Sequence, residues 1–160
     1  MRRSLLAVVV VSLSGCGILP IAYQEPSTGP VATITYKNAS SKNLSIALFN
    51  QSEECTGRRG LKIIEPGDQR TIKVRAGEDL TFEYNMSVGH KYCRINLRFA
   101  PRDGAVYQFN TIDDPEFCLW RMLAMTTGQP QPVRLQQIPW NQGSDENSSF
   151  CNEVEYERAL

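Results

Sequence analysis

The chain has 160 residues, with 17 basic and 17 acidic side chains, one histidine, and 41% hydrophobic and 9% aromatic residues. That balance excludes nucleic-acid binding through bulk charge, and a lone histidine leaves little from which to build the nucleophile-and-base pair of a hydrolase. The length suits a single domain with a core of its own.

Arg2 and Arg3 open the chain, residues 5–13 are almost wholly apolar, and Ser14 and Gly15 are small enough for a peptidase pocket. The run is shorter than the roughly 20 residues that a spanning helix needs. It closes on Leu13-Ser14-Gly15-Cys16, which resembles the lipobox of bacterial lipoproteins. The resemblance implies that residues 1–15 are a signal peptide and that Cys16 becomes an acylated N-terminus. It also implies a lipid-anchored protein of the bacterial cell envelope. Gly17, not being aspartate, implies the outer membrane, facing the periplasm. Several acyl chains, each contributing roughly 0.8 kcal/mol per buried methylene, make such an anchor slow to leave. Removal of Arg2 and Arg3 leaves 15 basic against 17 acidic side chains.

Residues 16–30 contain Pro20, Pro26, Ser27, Thr28, Gly29 and Pro30 without apolar periodicity, the composition of a flexible tether. As a coil it spans roughly 20 Å. From Val31 the chain becomes a succession of short runs with β character divided by turn residues. Residues 31–36 are rich in β-branched side chains. Leu44, Ile46 and Leu48 share one face of a second strand. Pro66-Gly67-Asp68 is a turn, since proline presets φ and glycine tolerates positive φ. Ile72 and Val74 alternate with Thr71, Lys73 and Arg75, and Leu80, Phe82, Tyr84 and Met86 follow at the same period. Cys93, Ile95, Leu97 and Phe99 point one way from the next strand, and Pro101-Arg102-Asp103-Gly104 is expected to close a hairpin into residues 106–110. Residues 118–125 fit either a strand, with Cys118, Trp120, Met122 and Ala124 on one face, or a short helix carrying Leu119, Met122 and Leu123. Residues 126–160 form an irregular tail, with an edge strand expected at 133–138. The sum is an all-β antiparallel sandwich, immunoglobulin-like or transthyretin-like, with its core in residues 31–125 and the tail packed on it.

With Cys16 assigned to lipid, Cys55, Cys93, Cys118 and Cys151 form an even set in an oxidising compartment, so two disulfides are expected. Of three pairings, Cys55–Cys93 with Cys118–Cys151 is preferred, because the second bridge would fasten the tail. Zinc is not expected: no Cys-x-x-Cys pair occurs, and His90 stands alone. The succession Ile64-x-Pro66-Gly67, Ala76-Gly77, Cys93 and Phe99-x-Pro101-x-x-Gly104-x-x-Tyr107 resembles small envelope lipoproteins with a β-sandwich. That resemblance brings no catalytic residue.

No catalytic constellation and no cofactor are expected. His90 reads as a loop residue, and Asp113, Asp114 and Glu116 as an acidic turn without the ligand spacing of a calcium loop. Lys73, Arg75, Arg94 and Arg98 all alternate with inward residues, and are expected to form a basic interaction face for an envelope protein, with Glu153, Glu155 and Glu157 as its counter-charges or on a separate face. Trp120 and Trp140 are candidates for stacking on a glycan such as peptidoglycan. The leading expectation is a non-catalytic, lipid-anchored interaction module, the alternative a glycan-binding module, and the third an envelope hydrolase centred on His90.

Overall fold

The computed structural model describes residues 21–88, 91–112, 114 and 117–152. Its strands, in chain order, are β1 (Val31–Lys37), β2 (Leu44–Gln51), β3 (Thr56–Gly60), β4 (Gln69–Arg75), β5 (Leu80–Val88), β6 (Lys91–Phe99), β7 (Val106–Ile112), β8 (Leu119–Ala124), β9 (Gln131–Pro132) and β10 (Gln136–Ile138). They form two five-stranded sheets: sheet I in the order β4-β1-β7-β8-β9, and sheet II in the order β10-β6-β5-β2-β3. The expected sandwich is therefore present. It departs from a purely antiparallel plan at one pair, where β1 runs parallel to β7 with Thr33 opposite Val106.

Alternation builds the core. Ala32, Ile34 and Tyr36 of β1 meet Leu44, Ile46 and Leu48 of β2 and Phe82 and Tyr84 of β5, and all of these are fully buried or nearly so. Tyr36, Phe82 and Phe109 interlock edge to face, the last two with ring centroids 5.3 Å apart. Each such side chain contributes about 1.5–3 kcal/mol on leaving water. At the expected turn before β4, Gly67 has φ +82° and Asp68 N–H donates to the Glu65 carbonyl at 3.0 Å. This is a type II turn with proline and glycine at the positions that favour them.

Several expectations are corrected. Residues 101–104 close no hairpin, because β6 and β7 belong to different sheets. β6 already has β5 on one side and β10 on the other, so the chain crosses the sandwich to reach β1. The crossing is tied to the start of β1: the Val31 N–H donates to Asp103 Oδ1, Gly104 N–H to the Val31 carbonyl, and Arg102 N–H to the Tyr107 hydroxyl. Residues 118–125 resolve as a strand, β8. The disulfides are Cys55–Cys151 and Cys93–Cys118, with Cα separations of 5.5 and 5.7 Å, not the preferred pairing. The tail is indeed fastened by Cys151, but to the β2–β3 turn. Cys93 instead faces inward and reaches Cys118, which leads into β8 on the opposite sheet.

The two open sides of the sandwich are closed by chain segments. Of the residues expected as a flexible tether, 21–30 are described and 21–23 are hydrogen-bonded to the domain. Gly60 N–H donates to the Ile21 carbonyl and Tyr23 N–H to the Gly60 carbonyl, while the Tyr23 hydroxyl donates to the Lys73 carbonyl at 2.9 Å on the edge strand β4. On the other side residues 133–135 pass from β9 to β10, and Val133 and Leu135 pack on the core. Cys16 and residues 153–160, with Glu153, Glu155 and Glu157, lie outside the described residues.

Candidate functional site

The outer face of sheet II carries the polar side chains expected to meet solvent, yet Ala47, Thr81, Glu83 and Asn96 are at most 1% exposed. A strap over residues 138–152 covers Asn96, whose amide donates to the Phe150 carbonyl, and Glu83 with its partners, while Ser52 of the β2–β3 turn and Arg98 cover Thr81. Ile138 pairs with Asn96, and Trp140 bridges Cys151 within the strap. Phe150 N–H then donates to the Cys55 carbonyl and Arg58 N–H to the Glu146 carbonyl. Below it, the buried Glu83 carboxylate receives Arg58 through Nε at 3.3 Å and Nη2 at 3.1 Å, with Arg94 Nε 3.6 Å away. Two rings roof this triad: Trp140 stands 4.6 Å from the Arg94 guanidinium and Phe150 5.5 Å from that of Arg58. Burial alone would lower the Arg58 pKa. The hydrogen bond and charge of Glu83, with Glu146 beside it, outweigh burial and raise it above its ordinary value.

The four cations expected on one face are divided between two. Arg94 and Arg98 lie on sheet II, where Arg94 serves the triad. Arg98 donates to Thr81 Oγ1 and to the Ser52 and Glu53 carbonyls, clamping the β2–β3 turn onto the sheet. Lys73 and Arg75 lie on β4, in sheet I. The two tryptophans do not share a groove. Trp120 turns toward the core, its ring 6.1 Å from Tyr84, and Trp140 sits in the strap over Arg94. Asp114 Oδ1 accepts the Phe117 N–H in a local turn. His90, Asp113 and Glu116 lie outside the described residues. Among the described residues no group of three or more His, Cys, Asp or Glu side chains is placed to hold a metal ion.

Unlike sheet II, sheet I has no segment among the described residues crossing its outer face. The register aligns its outward side chains in rows: Lys73, Thr33, Val106 and Met125; then Thr71, Thr35, Gln108 and Leu123; then Gln69, Lys37, Asn110 and Arg121; and last Ile112 with Leu119. No aspartate or glutamate occurs in any of its five strands. Lys37, Lys73, Arg75 and Arg121 are exposed. Of these, only Arg75 meets a carboxylate among the described residues, Glu78 at 4.0 Å, with both side chains about two-thirds in water. Val106, Ile112, Leu119 and Met125 are 40–44% exposed on the same face. The sequence carried this signal in the acid-free composition of these strands, but assembling it required knowing that β1, β4, β7 and β8 are neighbours.

A groove of about 1170 Å³ lies between residues 21–27, the β2–β3 turn and the start of β5. Glu25, Glu53, Glu54, Glu78 and Asp79 line it, with Arg59 and Arg75. Beside it the Tyr23 hydroxyl is pushed up to about 12, by burial first and by Glu25 second, against the opposing pull of Arg75. Charge is thus segregated on a chain that is neutral overall. A comparison of the chain with protein-family models and with curated proteins returns no match.

Proposed function

We propose that the chain is a non-catalytic, lipid-anchored module of the bacterial cell envelope that holds another envelope protein against the outer face of sheet I. The observation that carries this reading is the unequal treatment of the two outer faces. The centre of sheet II's outer face, with Glu83 and Asn96, lies beneath a disulfide-pinned strap, whereas among the described residues no segment crosses sheet I, where Val106, Ile112, Leu119 and Met125 are 40–44% exposed and Lys37, Lys73 and Arg121 have no ion pair. Exposed apolar side chains grouped on one face favour an interaction surface over mere solubility. The lipobox supplies the address, and the Cys55–Cys151 and Cys93–Cys118 bridges suit an oxidising compartment.

Two measurements test the reading. Mass spectrometry of the N-terminal peptide from natively produced protein is expected to find Cys16 acylated, and Cys16→Ala to leave the membrane fraction. Cross-linking in intact cells is expected to capture one reproducible protein. An unmodified Cys16, or glycan fragments in place of any protein, contradicts it.

A further inference from the structure

The open face also defines the chemistry of what covers it, and this step rests on the reading just given. We infer that the partner presents an acidic, broadly flat protein surface that docks face-on over the rows between Lys73 and Arg121.

Charge complementarity is the first ground. The face holds four cations and its strands no carboxylate, and of the four only Arg75 meets a carboxylate among the described residues, Glu78 beyond the end of β4, so the net charge of the face favours an acidic partner over a basic one. The cations are also available. Lys37, Lys73 and Arg121 have no ion pair among the described residues, in contrast to Arg58 and Arg94, which are committed to Glu83.

The docking mode follows from the edges. On β4 the Lys73 carbonyl is already taken by the Tyr23 hydroxyl. At the far side β9 has two residues, one of them Pro132. Proline and short strands discourage an added strand, so the partner approaches the face and not an edge.

A glycan fits poorly, because none of the outward side chains in these rows is aromatic and sugar rings would have no stacking platform. A bilayer is also a weaker match. The aliphatic side chains of the face are split between two ends, Val106 with Met125 in the first row and Ile112 with Leu119 in the last, and do not form one apolar patch. The centre of the face is polar and already paired, with Thr35 to Thr71 at 2.9 Å and Gln108 to Asn110 at 2.6 Å. A protein surface can return hydrogen bonds to such groups, whereas acyl chains cannot.

The test places a photo-reactive side chain in the full, natively lipidated chain in cells, as Val106→p-benzoylphenylalanine on the face or Gln142→p-benzoylphenylalanine on the strap. Val106 is expected to yield a protein adduct whose captured peptide is rich in aspartate and glutamate. The double reversal Lys73→Glu with Arg121→Glu is expected to lower that yield at least about tenfold, as roughly 1.4 kcal/mol of lost pairing requires. A neutral or basic captured peptide, or lipid adducts at position 106, overturns the acidic-partner inference. Adducts at position 142 with none at 106 overturn the choice of face but leave the interaction module standing. Absence of a protein adduct at both positions overturns the module itself.

Discussion

Glu83 shows most directly how single residues are committed in this fold. Its carboxylate is 1% exposed, and a buried charge persists only when paired and hydrogen-bonded. Removing it leaves two guanidinium groups facing each other beneath the strap. Glu83→Ala is therefore expected to cost about 3–5 kcal/mol in urea denaturation. Arg94→Ala should cost distinctly less, because about a third of its side chain lies in water. Equal losses would mean that the part-exposed Arg94 contributes as much as the closer Arg58 pair, against the geometry. Tyrosines report on the core. Burial pushes Tyr84 up to about 12 and Tyr36 further, and burial with Glu25 takes Tyr23 to about 12. In the unfolded chain all three ionise near 10. The unfolded state thus loses protons first, and the stability contributed by the three neutral hydroxyls is complete below pH 10 and lost as pH rises through 12. A phenolate absorbance titration is expected to show Tyr23, Tyr36 and Tyr84 still protonated at pH 11 in native protein and no such protection of these tyrosines in urea. A single wave near 10 in the native protein would contradict the packing described.

Among elements, the strands were legible and their partners were not. Strict alternation in Leu80, Phe82, Tyr84 and Met86 identifies β5 because a half-buried strand needs that period. Alternation places Glu83 and Asn96 on the outer face, but a local pattern cannot register a strap whose Phe150 carbonyl, 54 residues on, takes up the Asn96 amide. The cysteine pairing failed for a related reason. It rested on fastening the tail to Cys118, whereas the tail reaches Cys55 at the β2–β3 turn and Cys118 lies across the sandwich from Cys93. The bridges differ accordingly. Cys55–Cys151 closes 96 residues and Cys93–Cys118 closes 25, which by loop entropy corresponds to about 5 and about 3 kcal/mol. The double variant Cys55→Ala/Cys151→Ala is expected to lose more stability than Cys93→Ala/Cys118→Ala. Only the first should speed amide exchange at Asn141 and Phe150, which stay slow in native protein. Unchanged exchange there would mean that the Glu83 triad, with its aromatic roof, suffices to hold the strap.

At the scale of the whole molecule, a chain with equal numbers of acids and bases has sorted them. Carboxylates line the groove beside residues 21–27, one carboxylate is buried under the strap, and the strands of sheet I have none. The buried carboxylate holds the strap, but the sorting on sheet I is not needed for folding. Surface charges away from packed features alter stability by within about 0.5 kcal/mol, and Lys37, Lys73 and Arg121 make no ion pair among the described residues that their loss would break. Reversing Lys73 and Arg121 together is expected to leave the denaturation midpoint where it is, while the same change at Arg58 and Arg94 unfolds the strap. That contrast separates cations that hold the structure from cations available to a partner, although Arg94 reads in sequence like Lys73 and Arg121, a basic residue alternating with apolar neighbours. A shift in midpoint for the Lys73 and Arg121 variant as large as that for Glu83→Ala would mean that the face is structural and that the function must be sought elsewhere, with the acid-lined groove as the next surface to examine.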